Sequence, residues 1–83
     1  MRELAEKEKK RTDFAFKELR LLKEEGGDIL EMARAYKQDA DYFFSKEKWL
    51  EAFELYVYVF GILDALANLG IIDPGKAREH YKV

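Results

Sequence analysis

The sequence predicts an all-α fold, an antiparallel up-and-down three-helix bundle with a short C-terminal fourth helix. Apolar side chains recur at three- and four-residue spacing through three long segments, "EEGGD" and "SKEK" interrupt them, and no stretch alternates with the period of two that marks a strand. With 83 residues, 48% of them hydrophobic and 39% charged, the chain forms one domain over residues 1–83. A domain of this size buries only about 60% of the surface its unfolded chain exposes.

The first helix is expected over about residues 2–24. Leu4, Ala5, Thr12, Ala15, Phe16, Leu19 and Leu22 share a face that is thin between Ala5 and Thr12, so the first eleven residues are expected to fray or project. Glu3 with Lys7 and Glu6 with Lys10 stand four apart in the favourable order, each pair worth roughly 0.2–0.5 kcal/mol. Gly26 and Gly27 are expected to close this helix, since glycine accepts the left-handed conformation that ends one.

The second helix is expected over about residues 28–45. Asp28 and Glu31 form an Asp variant of the capping box, and Ile29, Met32, Ala33, Tyr36, Ala40, Phe43 and Phe44 make its apolar stripe. Ser45 to Lys48 allows only a tight reversal, so the next helix returns antiparallel. That third helix, about residues 48–69, carries Trp49, Ala52, Phe53, Tyr56, Val59, Phe60, Leu63 and Ala67, flanked by further apolar residues on both sides. An apolar arc this wide must touch more than one neighbour. Gly70 is the expected C-cap, and "DPGKAREHY" reads as an Asp cap, a proline at the first helical position and a short helix over about residues 74–81.

Composition excludes several functions. Fifteen basic against seventeen acidic side chains give a net charge of −2, without the basic excess of a dedicated nucleic-acid binder. Zero cysteines and one histidine exclude disulfides, thiolate catalysis and sulfur- or histidine-built zinc sites. No cofactor is expected. "MRELAEKEKKRTDF" has no apolar h-region, and the longest charge-free stretch, Leu55 to Leu63, falls well short of the roughly 20 residues of a spanning helix. A cytoplasmic protein without membrane association is the expectation. Gln, Asn, Ser and Thr occur once each against an abundance of Glu and Lys, a bias associated with thermostable proteins.

Asp64 interrupts the apolar run "ELYVYVFGILDALANLG" and projects beside Phe53, Val57 and Phe60, where a carboxylate must be paired or hydrogen-bonded. Tyr36, a cation of the first helix and an exposed backbone N–H are its candidate partners. It reads first as a structural carboxylate that fixes helix register. Asp39 with Asp64 could form a carboxylate pair for acid–base or cation chemistry, the least favoured reading because no third ligand stands near. Gly61 costs about 1 kcal/mol inside a helix relative to alanine. With Ala65 four residues on and Tyr58 beside it, Gly61 lets another helix approach closely. Tyr36, Asp39, Tyr58, Gly61 and Asp64 therefore form a candidate structural or interaction network. Phe14, Leu21 and Ala65 are candidate interface residues for a protein partner or a second copy of the chain. Lys9, Lys10, Lys17 and Arg20 share a side of the first helix and give an alternative, nucleic-acid-associated reading, but Glu6, Asp13 and Glu24 interrupt the stripe. His80 in "REHY" has no nucleophile or second histidine near it in sequence.

Residues 36–72, through Tyr36, Asp39, Ala40, Phe43, Ala52, Phe53, Tyr58, Gly61, Leu63, Asp64, Ala65 and Gly70, resemble a small archaeal family catalogued as domain of unknown function number 357. The most specific piece is "YVFGILDA", similar to the family element Tyr-Ala-x-Gly-x-Leu-Asp-Ala, with Val59 in place of alanine. The resemblance implies an up-and-down three-helix bundle and no established activity. It also implies a glycine between helices two and three, where "SKEKW" has none, so Glu47 is expected in a left-handed backbone. The function expected overall is a protein-interaction or scaffolding module, not an enzyme.

Overall fold

The computed structural model describes residues 1–82 of the chain. It is all-α, with helices α1 (Arg2–Glu18), α2 (Gly27–Ser45) and α3 (Trp49–Asn68). Two 3₁₀ segments, Glu24–Gly26 and Gly75–His80, and two short strands, β1 (Arg20–Leu21) and β2 (Ile72–Asp73), complete it.

Helix α3 is the axis of the fold. Ala52, Tyr56, Val59, Phe60, Leu63 and Leu66 are all buried on it, and both α1 and α2 pack extensively against it while touching each other sparsely. The wide apolar arc is thus satisfied by two neighbours. The main core joins Ala15 of α1, Leu30 and Ala33 of α2 and the middle of α3 to Ile72, Ala77 and Tyr81. A smaller cluster of Ala40, Ala52 and Tyr56 lies toward the α2–α3 turn.

Several expectations are corrected. α1 stops at Glu18, not near residue 24, because Leu19 turns extended and Arg20 and Leu21 pair antiparallel with Asp73 and Ile72. A non-local ladder overrides the helical propensity of "LRLLK". The N-terminal residues are helical from Arg2, with Ala5 fully buried, rather than frayed. Glu6 pairs with Arg2 and Glu3 with the terminal amine, so the pairs with Lys10 and Lys7 do not form. Gly26 and Gly27 open α2 instead of closing α1, and Asp28 makes no capping bond. On α2 the buried residues are Leu30, Ala33 and Ala40, whereas Ile29 and Met32 are exposed, a rotation that brings Lys37 and Asp41 inward. The C-terminal segment is a 3₁₀ helix, with the Gly75 N–H bonded to Asp73 Oδ1 at 3.2 Å. Gly75 has φ +62°, and a Cβ there would stand 2.7 Å from the Glu18 carbonyl oxygen. The segment therefore seats on the end of α1 only through glycine.

Helices α2 and α3 end with the same motif. At α3 the N–H of Ile71 bonds the Leu66 carbonyl at 2.9 Å and that of Gly70 the Ala67 carbonyl at 3.0 Å; at α2, Lys48 bonds Phe43 at 2.9 Å and Glu47 bonds Phe44 at 3.0 Å. Each motif needs one left-handed residue. Gly70 supplies it at φ 71° and Glu47, as expected, at φ 58°. Left-handed backbone costs an L-residue roughly 1–2 kcal/mol. Glu47→Gly should therefore raise stability by about 0.5–1 kcal/mol after the entropy cost of glycine in the unfolded chain, measured by urea unfolding; Gly70→Ala should lower it by a similar amount.

Candidate functional site

Asp64 is held by a backbone amide, one of the partners foreseen for it. Its Oδ1 accepts the Lys82 N–H at 2.8 Å, while Asn68 Nδ2 donates to the Asp64 carbonyl at 2.9 Å and to the Lys82 carbonyl at 3.4 Å. The carboxylate thus clasps the C-terminal segment to α3. Beside it Tyr81 is buried against Phe60, ring centroids 5.0 Å apart, and burial together with the Asp64 charge pushes the Tyr81 hydroxyl up to about 12. Asp39 is exposed on α2. Antiparallel stepping from the Tyr36–Tyr58 contact sets Asp39 level with Leu55, about 13 Å along α3 from Asp64 at 1.5 Å per residue. The two carboxylates are not paired, and no group of three or more metal-ligating side chains forms among the described residues.

Tyr36 and Tyr58 meet edge to face at 5.5 Å and 80°. The same stepping sets Met32 level with Ile62 and Ile29 level with Ala65. The outer α2–α3 surface therefore presents Ile29, Met32, Tyr58 and Leu69, exposed by 46%, 41%, 54% and 67%, around Gly61 and Ala65, which are exposed as well. Nothing lies within 4 Å of where a Gly61 Cβ would stand. Asp39 and Asp28, both exposed, share this face of α2 by their spacing from Met32 and Tyr36. Phe14 and Leu21 do not join it, for Phe14 packs its ring against His80 and Leu21 lies in β1.

The strongest electrostatic feature escaped the sequence reading. Lys37 Nζ of α2 lies 2.8 Å from Asp13 Oδ1 and 2.9 Å from Asp41 Oδ2, and Lys9 Nζ of α1 lies 3.0 Å from Asp13 Oδ2 and 3.7 Å from Asp41 Oδ1. The four charges alternate in a ring across the α1–α2 seam. From below, the buried Tyr56 of α3 donates its hydroxyl to Asp41. Burial works against both charges, yet the hydrogen bonds and charges of Lys37 and Lys9 hold the Asp13 carboxyl below its ordinary value, and those of Asp13 and Asp41 raise Lys37. Burial, then the Asp41 bond and charge, raise Tyr56. The signal available in the sequence was the i,i+4 spacing of Lys9 with Asp13 and of Lys37 with Asp41.

A groove of about 340 Å³ lies on the other side of α1, lined by Lys7, Lys10, Arg11, Phe14 and His80. Arg11 stacks on the Phe60 ring at 3.9 Å and bonds Glu8 at 2.6 Å, and the His80 ring stands perpendicular to Phe14 at 6.0 Å. Of the basic stripe expected on the first helix, Lys9 is held in the charge ring, and Arg20 lies in β1 and bonds Asp73 at 3.1 Å. No helix among the described residues is long and apolar enough to cross a membrane.

Among known proteins, a family model described as "Protein of unknown function (DUF357)" matches residues 2–72, from the start of α1 into β2. No curated protein and no solved structure matches the chain.

Proposed function

Because the chain belongs to the DUF357 family, for which no function is known, we propose its role from its own surface: a protein-interaction module, cytoplasmic and not an enzyme. It is built as an up-and-down three-helix bundle that pairs with a second copy of itself through the outer α2–α3 face. The observation that carries this is the juxtaposition on one surface of large exposed apolar groups, Met32, Tyr58 and Leu69, with the open notch at Gly61 and Ala65. A two-fold interface places one patch against its own copy, so that patch must supply both projections and hollows. This one supplies both. Clustered exposed apolar groups of this kind mark association surfaces, whereas scattered ones do not.

Gly61→Arg tests the reading without harming the fold. The space around Gly61 is open, and arginine is a better helix former by roughly 0.8–1 kcal/mol, so the variant monomer should melt at a higher temperature. Its charge would nevertheless fill the notch. Sedimentation equilibrium should show concentration-dependent dimerisation of the parent chain and its loss in Gly61→Arg. A parent chain that stays monomeric at high micromolar concentration, or a variant that dimerises unchanged, overturns the proposal.

A further inference from the structure

We infer that the groove between α1 and the C-terminal segment is a binding site for a nucleoside phosphate, either a free nucleotide or the phosphorylated end of an RNA strand. Lys7 and Lys10 are exposed and enter no ion pair among the described residues, although carboxylates are abundant in the chain. They stand three apart on one helix, so their side chains are neighbours, and both border the groove. Two ammonium groups so placed provide several N–H donors for a phosphate dianion.

The remaining lining favours a planar, partly apolar body attached to that anion. Phe14 and His80 stand at 89° to each other and form an aromatic corner at the groove. A base can stack on one ring while its edge meets the other. Arg11 is fixed as a wall by its stacking on Phe60 and its bond to Glu8. The opposite wall is fixed independently, by the Asp64 clasp on Lys82 and the seat of Gly75 on α1. A site held from both sides loses little entropy on binding. The volume of about 340 Å³ lies at the small end of the ligand-pocket range of roughly 300–1,000 Å³.

Charge decides against a long polyanion. The net charge is −2, Lys9 of α1 is engaged with Asp13 and Asp41, and Arg20, which lies beyond α1 in β1, is engaged with Asp73. Lys17 is then the one member of the basic stripe outside the groove with no ion pair among the described residues, too little for a backbone track, so recognition is of one phosphate with its base. A site that takes one phosphate gives a shallow salt dependence, with a slope no steeper than that of a single phosphate contact.

Amide-resolved NMR titration of the whole chain with adenosine monophosphate, guanosine monophosphate, adenosine, inorganic phosphate and a 5′-phosphorylated tetranucleotide tests this. The two nucleotides should bind with Kd about 0.1–1 mM, shifting Lys7, Lys10, Arg11, Phe14 and His80. Adenosine and inorganic phosphate should each bind at least about tenfold more weakly, since each lacks half of the recognised group. The double variant Lys7→Glu/Lys10→Glu, exposed on both counts and expected to fold normally by circular dichroism, should lose nucleotide binding. A tetranucleotide binding about tenfold or more tighter than the mononucleotides identifies the strand end as the source, and equal affinity identifies the free nucleotide. Absence of localised shifts with every probe, or binding unchanged in the double variant, overturns the inference.

Discussion

Gly26→Ala is expected to destabilise the protein by about 2–3 kcal/mol, the upper part of the range for forcing extra atoms into a packed core. Gly26 is buried, and an added Cβ would fall on the Ile71 side chain, closest to its Cγ2. The backbone at Gly26 is ordinary, with φ −93°, so the penalty is one of space and not of conformation. Ile71 has little freedom to yield. Its N–H is committed to Leu66, and its carbonyl accepts from Leu22 at 2.7 Å and Lys23 at 3.3 Å, which ties the end of α3 to the segment that follows β1. Its branch at Cβ leaves few rotamers to retreat into. Chemical denaturation should therefore show a lowered midpoint with an unchanged slope. Ile71→Ala removes the obstructing methyl, so the double variant should be more stable than the sum of the two single losses predicts, by about 1 kcal/mol or more, as touching residues couple. Strict additivity would place the strain elsewhere.

What was legible in the chain follows from which contacts are local. α3 could be read to within a residue because its apolar arc, which continues on both sides of the single internal Gly61, and the Schellman closure at Gly70 both depend on neighbours in sequence. The left-handed Glu47 was expected from the family resemblance, which implies a glycine in this turn where the chain has none, and the Schellman closure of α2 is what requires such a residue. The end of α1 was not. "LRLLK" has helical propensity throughout, and it stops being helical at Leu19 because Ile72 and Asp73, some fifty residues later, present a ladder to it. The face of α2 was misread in a related way. Hydrophobicity alone assigns Ile29 and Met32 to the core and Lys37 and Asp41 to water, but the inward-facing position goes to the charged pair because α1 offers Asp13 and Lys9 across the seam. Asp64 is an intermediate case, for its need of a partner followed from its apolar surroundings, whereas the choice of the Lys82 amide depended on how the C-terminal segment folds back. The groove, made by α1 and residue 80 together, had no sequence signature.

The misread face of α2 leads to the second large effect. α1 and α2 touch sparsely, so the alternating ring of Lys9, Asp13, Lys37 and Asp41 supplies specificity where apolar packing does not. Lys37 is its centre, 18% exposed and bonded to both carboxylates, whereas Asp13 and Asp41 are 43% and 35% exposed. Lys37→Met keeps the aliphatic stem but leaves two carboxylates facing each other with Lys9 alone between them. The expected cost is about 2 kcal/mol, above the 1 kcal/mol ceiling of exposed pairs and below the 3–5 kcal/mol of a broken buried one. Tyr56→Phe should cost about 1.5 kcal/mol for a charge-assisted bond. A double-mutant cycle should show positive coupling, because both side chains act on Asp41. The pH profile gives an independent reading. Asp13 titrates below its ordinary 3.8 in the folded state, so its contribution is full above pH 3.8 and disappears as acid protonates it in the fold. Lys37 and Tyr56 titrate above their ordinary 10.5 and 10.0, so their contribution is full below those values and is lost with rising pH as the unfolded chain gives up protons that the fold retains. Thermal unfolding should accordingly show a plateau between these limits and a fall on either side. In Lys37→Met the acid limb should become shallower but not vanish, since Asp13 keeps Lys9 alone and Asp73 is still held low by the Gly75 amide and Arg20, and an acid limb unchanged by the substitution would show that the ring does not hold α1 to α2.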